Sequence, residues 1–348
     1  MLAARMYGKG DLRIENVNIP EINENEVLVR VKCAAICGTD VRILGNGSPY
    51  ATENNPRILG HELSGIIEKV GSNIKGYKEG MRVAVAPNMG CGICSFCISG
   101  NGQLCKDYRA LGINIDGGFA EFVKIPEEAV RQGNITILSD SVSFEEAAIN
   151  EAFSCAYNGF SRCALQPGET CLVIGAGAIG IMHAKLAKMH GASKVIINDL
   201  SQERLDVCKE IDESFMVYCG SDGLKEFIEK ETGGNGVDVT IVACPAPQAQ
   251  IMALELAAVN GRINFFGGLP TDKQNVPINS NLVHYKQLII TGTTRASLTQ
   301  YRKTLDFIAA GVIDVKRLVT GKFKLEDIKA GFELSSATKG LKNVVYFE

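Results

Sequence analysis

A glycine-rich turn between an apolar run and an amphipathic segment constrains the fold of this chain more than any other feature. The apolar run 172–174 leads into Gly175-Ala-Gly-Ala-Ile-Gly180, which matches the pattern G-x-G-x-x-G. We predict a strand that ends at the turn and a helix over 178–190. A strand, these glycines and a helix in this order are typical of a dinucleotide-binding turn, whereas the glycines alone would also fit a flexible loop.

The glycines have separate tasks in such a turn. Gly175 would allow the tight bend, Gly177 would let the backbone approach a pyrophosphate, and Gly180 would let the helix pack closely on the strand. The helix would hold the phosphates with its first N–H groups and its partial positive charge. We therefore expect the contacts with the dinucleotide at Gly175, Gly177, Ile179 and Gly180.

An acidic residue follows the turn at the distance that a ribose contact requires. The second apolar run, 194–199, ends in Asp199, 19 residues after Gly180. Its carboxylate is placed to accept hydrogen bonds from the ribose hydroxyls of an adenosine and would repel a 2′-phosphate. The sequence therefore predicts NAD as the cofactor rather than NADP, the alternative for Asp199 being a solvated strand end.

From Cys171 onward, short apolar runs alternate with amphipathic segments. Strands are predicted near 171–174, 194–198, 215–218, 237–243, 261–266 and 288–292, with helices between most of them. Six such strands with the glycine turn on the first predict an α/β, doubly wound parallel sheet. A helix over 298–310 and a strand-rich tail to residue 348 follow, and we expect this tail to return to the first domain.

The first 130 residues or so have a different rhythm. Short β-branched runs punctuated by Gly, Asn and Pro predict an all-β unit of short strands. Ser143-Phe-Glu-Glu146 offers a capping box, which predicts a long helix towards Arg162. We expect this helix to bridge two domains.

Length and charge limit the class of partner. A chain of 348 residues is long enough for two domains, each with its own core. The formal net charge of −3 argues against a nucleic acid or an anionic membrane surface as a partner. No apolar run approaches the length of a membrane span, and the first eight residues lack the core of a signal peptide, so we expect a cytoplasmic protein.

Four of the 12 cysteines form a closely spaced group in a segment rich in Gly, Asn and Ser: Cys91, Cys94, Cys97 and Cys105. Four thiolates this close can surround one zinc ion tetrahedrally and leave no open position, which predicts a structural zinc site. Unrelated exposed thiols are the alternative, and they would be a reactive liability. Most of the other cysteines have apolar neighbours and are interpreted as buried core residues.

A second group of metal-ligand types is dispersed along the chain. Cys37 opens the sequence Cys-Gly-Thr-Asp, and His61 and Glu62 lie between two leucines in Leu-Gly-His-Glu-Leu. A thiolate, an imidazole and a carboxylate are ligands that zinc accepts. The spacing alone leaves open the alternative that each is an ordinary packed side chain.

These motifs, in this order and over essentially the whole chain, resemble those of the zinc-dependent medium-chain dehydrogenases. The resemblance implies a GroES-like, mainly-β catalytic domain over 1–155 and 295–348, with a structural zinc lobe at about 87–106. A Rossmann NAD-binding domain with a six-stranded parallel sheet would occupy 156–294, and the active site would lie in the cleft between the domains. The resemblance also implies that the protein is an NAD-dependent oxidoreductase that acts on CH–OH donors and binds two zinc ions per chain. By analogy with the family, we expect a homotetramer or a homodimer.

Within that family, Cys37 and His61 match ligands of the catalytic zinc. The position of a second cysteine ligand in ordinary alcohol dehydrogenases is Glu151 here, as in the polyol branch of sorbitol dehydrogenases and in L-threonine 3-dehydrogenases. In these relatives the Glu of Gly-His-Glu can bind zinc while the other carboxylate lies behind a water. The sequence therefore leaves open whether Glu62 or Glu151 ligates the metal. Cys155 is interpreted as a core residue.

Two further residues are predicted to contact the substrate. Arg295 occupies the place of an arginine that helps to hold the polyol chain in sorbitol dehydrogenases; the alternative is a surface charge. Phe119 is predicted to line the pocket, although an aromatic residue in a strand is more often part of the core. Arg42 and Ile43 stand where animal sorbitol dehydrogenases commonly carry His and Tyr. The substrate therefore stays open between a polyol, threonine, a butanediol and a phosphorylated sugar alcohol.

The resemblance also suggests a mechanism. A secondary hydroxyl would bind the open position of the zinc, Thr39 would receive its proton, and a hydride would pass to the nicotinamide, leaving a ketose. Gly267 would admit the nicotinamide ring. Arg204 would lie over the adenine or, alternatively, be a solvated helix charge. A nucleotide-binding protein without zinc chemistry is disfavoured, because the chain keeps the predicted catalytic ligands.

Overall fold

The computed structural model describes residues 1–337 and 339–348, which form two compact units. Unit 1 comprises Met1–Ser154 and Ala296–Glu348, and unit 2 comprises Cys155–Arg295. Among the described residues, no helix combines the length and the apolar character that crossing a membrane would require.

The first segment of unit 1 is rich in short strands. Its strands are β1 (Leu2–Gly8), β2 (Asp11–Asn16), β3 (Val27–Ile36), β4 (Arg57–Ile58), β5 (Glu62–Val70), β6 (Arg82–Val85), β7 (Asn88–Met89), β8 (Arg109–Ala110), β9 (Phe122–Ile125) and β10 (Ile135–Ile137). Its helices are α1 (Gly38–Asn46), α2 (Ser95–Ile98), α3 (Glu127–Gln132) and α4 (Phe144–Ser161), the last of which continues into unit 2.

Strands and helices alternate in unit 2. The strands are β11 (Thr170–Ile174), β12 (Lys194–Asp199), β13 (Met216–Cys219), β14 (Val237–Val242), β15 (Ala257–Phe265) and β16 (Ile289–Gly292). The helices are α5 (Ala178–Met189), α6 (Gln202–Ile211), α7 (Leu224–Glu231), α8 (Pro247–Leu256) and α9 (Ser280–Tyr285). The chain then returns to unit 1 with α10 (Leu298–Ala309), β17 (Val319–Phe323), α11 (Ile328–Ser336) and β18 (Lys342–Tyr346).

The sheet of unit 2 has the strand order β13-β12-β11-β14-β15-β16, and every pairing in it is parallel. This is the doubly wound order, with β11 and its glycine turn at the point where the order reverses. Parallel strands covered on both faces read as continuous apolar runs, which is why the sequence located them well. The predicted fold class is confirmed.

The fifth strand of unit 2 is longer than predicted. The expected range was 261–266, but β15 begins at Ala257. Asn260 has a left-handed backbone conformation with φ +63°, and the pairing of β14 with β15 shifts register between Val237 and Val239. Asparagine adopts this conformation more readily than most residues. Because of this irregularity, the pattern of apolar residues did not predict the first part of the strand.

The main sheet of unit 1 is built from both segments of the chain. Its order is β10-β6-β5-β3-β18-β17, with β9 also paired to β3. Strand β18 runs antiparallel to β3, with Asn343 opposite Ile36, and β5 pairs with the other side of β3, with Glu62 opposite Ala35. The start of β5, the start of β18 and the end of β3 are therefore neighbours in the sheet.

The long helix α4 begins as predicted. The hydroxyl of Ser143 accepts a hydrogen bond from the Glu146 backbone N–H at 3.2 Å, and the Glu146 carboxylate accepts one from the Ser143 N–H at 3.0 Å. This reciprocal pair satisfies two N–H groups at the start of the helix. Further along, α4 carries three fully or nearly buried polar residues within unit 1: Asn150, Glu151 and Ser154.

Candidate active site

Three potential metal ligands converge where β3 ends and β5 begins. Cys37 follows β3 directly and caps helix α1, while Glu62 is the first residue of β5 and His61 precedes it. One ligand atom from each side chain can be chosen so that all three lie within 4.8 Å of one another. His61 and Glu62 are buried, and Cys37 is half-buried.

The donor set fits a zinc ion. Thiolate sulfur, imidazole nitrogen and carboxylate oxygen are the zinc ligands found in proteins, and three protein ligands with an open fourth position are typical of catalytic sites. Cys37, the least buried of the three, marks the side from which a small molecule could reach the ion. In the described part of the chain, the three-residue cluster does not include Glu151.

Asp40 positions two of these ligands. Its fully buried carboxylate accepts hydrogen bonds from the backbone N–H of Cys37 at 2.9 Å and of Gly60 at 3.3 Å. Its Oδ1 also lies 3.3 Å from Nδ1 of His61. A carboxylate beside Nδ1 would leave the other imidazole nitrogen, Nε2, free to bind a metal ion and would make it more basic. Burial opposes protonation of His61, but the charges of Asp40 and Cys37 prevail and raise its pKa.

A buried lysine lies against the third ligand. Nζ of Lys342, at the start of β18, is 2.6 Å from each carboxylate oxygen of Glu62 and donates a hydrogen bond to Oε1. Burial opposes the charge of Lys342, but the acidic groups of Glu62, Cys37 and Glu151 outweigh it and raise its pKa. The two partners are 280 residues apart in sequence, and sequence analysis missed the pair.

Two further residues lie close to Glu62: Glu151, which is on α4, and Tyr301, which is on α10. Glu151 is buried, and the Tyr301 hydroxyl is buried without a hydrogen-bond partner in the described structure. Burial raises the pKa of Tyr301, and the carboxylates of Glu151 and Glu62 raise it further. Asn150 holds the tyrosine backbone by donating its Nδ2 to the Tyr301 carbonyl at 3.0 Å. Tyr301 was not singled out from sequence, because nothing local marks it.

The four-cysteine segment forms a compact cluster. One Sγ atom from each of the four thiols lies within 4.8 Å of the others: Cys91, Cys94, Cys97 and Cys105. Sγ of Cys105 accepts the Cys91 backbone N–H at 3.3 Å. Hydrogen bonds from the backbone of Ile93 and Cys94 lower the pKa of Cys91 to about 7, so its thiolate forms readily. Four thiolates in this arrangement fit one structural zinc ion.

The glycine turn of unit 2 has the geometry that a dinucleotide needs. Gly175 has φ +114°, a conformation that favours glycine, and Gly177 caps helix α5 with open space beside it. Asp199 is tied to the turn, because its Oδ2 accepts the backbone N–H of Ala176 at 2.7 Å. Its Oδ1 accepts the N–H of Ser201 at 2.9 Å.

Other predicted cofactor residues surround this turn. Arg204 on α6 lies near Asp199, with Nη1 3.9 Å from Oδ2. Gly267 follows β15, and a Cβ atom there would overlap the backbone of Cys244. Ile179 is half-buried in the first turn of α5. The arrangement leaves the helix N-terminus and the Asp199 carboxylate on the carboxyl side of the parallel strands, where nucleotides bind in such sheets.

The remaining predicted residues have different surroundings. Thr39 is half-buried on α1, and its hydroxyl accepts a hydrogen bond from Arg42 at 3.2 Å. Phe119 is fully buried and packs edge-on against Phe332 at 5.8 Å between ring centroids, so the structure gives it a core position behind Gly60 rather than a free pocket wall. Arg295 is exposed at the end of unit 2, in a left-handed conformation with φ +57°.

Comparisons with known proteins agree with this architecture. The alcohol dehydrogenase GroES-like domain family matches residues 23–134, and the zinc-binding dehydrogenase family matches residues 178–310. A sorbitol dehydrogenase of Bacillus subtilis is 35% identical over 99% of this chain and 97% of its own length. An L-threonine 3-dehydrogenase of Rhizobium etli is 35% identical over 92% of this chain and 91% of its own length.

Solved structures match over nearly the whole chain as well. A zinc-binding dehydrogenase from Sinorhizobium meliloti bound to NADP has a TM-score of 0.89 and 26% identity, covering 99% of both chains. An alcohol dehydrogenase from Escherichia coli complexed with NADH has a TM-score of 0.89 and 27% identity, covering 100% of this chain and 99% of its own.

The fold and these matches define an oxidoreductase that acts on CH–OH groups and depends on zinc and a nicotinamide dinucleotide. The predicted family is confirmed over the full length of the chain. The protein belongs to the zinc-dependent medium-chain dehydrogenases, in the polyol branch with the sorbitol dehydrogenases.

Proposed function

We propose that the protein oxidises a secondary hydroxyl of a polyol to a ketone with NAD. The observation that carries the proposal is the cluster of Cys37, His61 and Glu62, which places a half-buried thiol beside a buried imidazole and carboxylate. The full-length similarity to sorbitol dehydrogenase supports a polyol as the substrate class.

The residues of unit 1 would bind the ion and handle the proton. Cys37 and His61 would hold zinc, with Asp40 fixing the orientation of the imidazole through its Nδ1. Zinc bound there would supply Lewis acidity that lowers the pKa of an alcohol hydroxyl. Thr39, two residues after Cys37, would take the proton at Oγ1 and pass it to water. Arg42, which donates to that oxygen, would keep the hydroxyl oriented.

The residues of unit 2 would bind the hydride acceptor. The N–H groups at the start of α5 would hold the pyrophosphate, and the lack of a side chain at Gly177 would let it approach the backbone. Gly267 follows the fifth strand of the sheet and would admit the nicotinamide ring.

Asp199 supports NAD over NADP. Each oxygen of its carboxylate already accepts one backbone N–H, from Ala176 and from Ser201. A carboxylate has about four acceptor sites, so each oxygen can accept one ribose hydroxyl as well. A 2′-phosphate at the same place would meet a fixed negative charge. Arg204 argues in the other direction, because its positive guanidinium lies 3.9 Å from the Asp199 carboxylate and could accommodate the 2′-phosphate of NADP.

A second candidate reaction is oxidation of the side-chain hydroxyl of threonine. The similarity to the L-threonine 3-dehydrogenase of Rhizobium etli favours it. The family resemblance implies a glutamate at the position of Glu151 in both branches. The match with the sorbitol dehydrogenase covers more of the chain, 99% against 92%, so we place the polyol first.

A substrate panel tests the proposal. Sorbitol, xylitol, galactitol, threonine, 2,3-butanediol and sugar-alcohol phosphates are compared by kcat/KM, each with NAD and with NADP. We expect a polyol with NAD to give the highest value. A higher value for threonine, for butanediol or with NADP would overturn the corresponding part of the proposal. Analytical ultracentrifugation of the same sample tests the expected dimer or tetramer.

Cys37→Ser provides the matched test of the metal assignment. We expect this variant to lose turnover and one zinc ion while it binds NAD with unchanged affinity. Cys219→Ser, which alters an exposed thiol of unit 2, is the control. Full activity of Cys37→Ser would contradict the assignment.

A further inference from the structure

A loop from a distant segment of unit 1 packs its backbone directly on the residue that precedes His61. Gly112 and Gly117 belong to this loop, residues 111–118, and both are buried against Gly60. A Cβ atom on Gly112 would overlap the backbone nitrogen, carbonyl carbon and carbonyl oxygen of Gly60, and a Cβ atom on Gly117 would overlap that oxygen as well. Glycine is the residue that permits two backbones to approach so closely.

Hydrogen bonds hold the loop and the segment before His61 together. Three backbone N–H groups of residues 117–119 donate to carbonyl oxygens of residues 58–60, at 2.8–3.0 Å. Asp116 adds a side-chain bond, because its Oδ1 accepts the Ile58 N–H at 3.1 Å. At its other end the loop is anchored next to the β7–β8 pair, where the Leu111 N–H donates to a carbonyl at 3.2 Å. The loop is therefore fixed on both sides of its glycines.

Gly60 is confined on its other sides as well. Its φ is +92°, and a Cβ atom there would overlap the ring of Phe119. Its N–H donates to Oδ1 of Asp40 at 3.3 Å, and the same oxygen lies 3.3 Å from Nδ1 of His61. Since one peptide bond joins Gly60 to His61, any displacement of Gly60 by the loop would move the imidazole.

We propose that Gly112 and Gly117 are positioning residues for the catalytic metal site: by packing on Gly60, they set the place of the His61 imidazole relative to Cys37. The inference rests on the proposed zinc site and adds to it the support of one ligand. The backbone carries this role, because neither glycine has a side chain that could bind metal, substrate or cofactor. A methyl group at either position would force the loop and Gly60 apart and so misplace the imidazole.

The test measures the affinity of the catalytic site for cobalt rather than turnover. Parent protein and Gly117→Ala, each with zinc retained in the four-cysteine cluster, are titrated with cobalt, and the signal that Cys37→Ser lacks identifies the site. We expect Gly117→Ala to bind cobalt about ten- to hundredfold more weakly, the range by which groups around a metal ligand change affinity. Gly112→Ala should lose at least as much, because its φ of +70° adds backbone strain to the overlap.

Two glycines of unit 1 that lie in open space provide matched controls. Gly10 has a φ of +72°, close to that of Gly112, whereas Gly8, like Gly117, does not have a positive φ. A Cβ atom on Gly10 or Gly8 would meet nothing within 4 Å. Gly10→Ala and Gly8→Ala should therefore bind cobalt with the parental affinity.

A double variant separates the positioning of His61 from a general loosening of unit 1. His61→Ala removes the imidazole and leaves weaker cobalt binding, so the addition of Gly117→Ala should weaken it no further. The same loss of affinity from Gly117→Ala with and without His61 would show that the glycine does not act through the imidazole, and would overturn the proposal. NAD affinity should be parental in every variant, since unit 2 is unchanged.

The outcomes distinguish this inference from the proposed metal site. In a parent that binds cobalt through Cys37, parental affinity of Gly117→Ala would overturn the role of the glycines alone. A parent whose cobalt spectrum is the same as that of Cys37→Ser would overturn the metal site itself. Should Gly117→Ala fail to fold, Asp116→Ala takes its place, because it removes the acceptor of the Ile58 N–H from the same contact. Parental affinity of Asp116→Ala would then count against the proposal.

Discussion

The carbonyl oxygen of Gly175 occupies the space that a Cβ atom on Gly180 would need. Helix α5 therefore packs on its strand at a distance that only glycine permits. Gly177, two residues after Gly175, has open space at the corresponding position. The two glycines of the same turn thus serve different purposes, close packing in one case and access for a ligand in the other.

Alanine substitutions separate these purposes. Gly180→Ala should destabilise the protein by about 1–3 kcal/mol, the usual effect of overpacking, with or without cofactor. Gly177→Ala should leave the unfolding temperature of the free protein unchanged but weaken NAD binding, because its methyl group would meet the pyrophosphate. Thermal unfolding with and without NAD measures both effects, and a normal cofactor-induced rise in Tm for Gly177→Ala would contradict the assignment.

Asp199→Asn should reduce the preference for NAD. The amide keeps one acceptor for the backbone of the turn but removes the charge that favours ribose hydroxyls and opposes a 2′-phosphate. Loss of one hydrogen bond to a charged group corresponds to roughly a ten- to hundredfold loss of NAD affinity. Titration with NAD and NADP checks this, with Asp206→Asn on the exposed face of α6 as control. A parent protein that already prefers NADP would refute the ribose argument.

His183 should make unit 2 sensitive to acid. The ring is completely buried, neither nitrogen has a hydrogen-bond partner within the described structure, and burial lowers its pKa to about 3. The unfolded chain, with a pKa of about 6.5, binds the proton more readily. The free energy of unfolding is therefore fully retained above about pH 6.5 and falls as the pH drops towards 3, by on the order of 2 kcal/mol at pH 5.

The variant His183→Leu isolates this effect. Its unfolding temperature should depend less on pH between 7 and 5 than that of the parent, because the group that titrates on unfolding is gone. His284→Gln, at an exposed position, should keep the parental dependence. Identical slopes for His183→Leu and the parent would show that His183 finds a partner for its proton in the folded protein.

Cys94→Ser should remove one zinc ion and destabilise unit 1. The cysteine segment exposes Ile93, Phe96 and Ile98, so few apolar contacts hold it together in place of a metal. Binding energy of a structural zinc contributes directly to folding. Metal analysis and thermal unfolding of Cys94→Ser, with Cys219→Ser as control, measure the change. A variant with unchanged zinc content and Tm would show that Cys94 is not a ligand of a structural zinc ion.

Short sequence motifs predicted those parts of the candidate sites whose residues are close together in the sequence. The glycine turn and the four-cysteine cluster each lie within one short segment, so spacing alone determines which atoms meet. The strands of unit 2 were located because buried parallel strands are continuous apolar runs. Only the family resemblance predicted that Cys37 and His61 bind the same metal ion, because their spacing in the sequence does not indicate it.

The parts that were missed depend on strand pairing between distant segments. Lys342 begins an apolar strand and looks, in the sequence, like a solvated charge; only the pairing of β18 with β3 brings it to Glu62. Asp40 did have a local signal, since it stands three residues after the helix cap and satisfies the capping-box pattern with Cys37. Phe119 is fully buried, which favours the core position that the sequence had offered as its alternative.

The insertion of β18 between β3 and β17 has a consequence for biosynthesis. The ribosome makes β3 and β5 first and β18 only after the whole of unit 2, although all three strands share one sheet. Unit 2 is contiguous and can fold while translation continues, as can the four-cysteine segment. Until β18 has been made, the stretch of β3 from Cys33 to Ile36 lacks this pairing partner. Lys342, which pairs with Glu62, is synthesised after the whole of unit 2. The surroundings of the proposed metal site are therefore completed only after the cofactor-binding unit has been made.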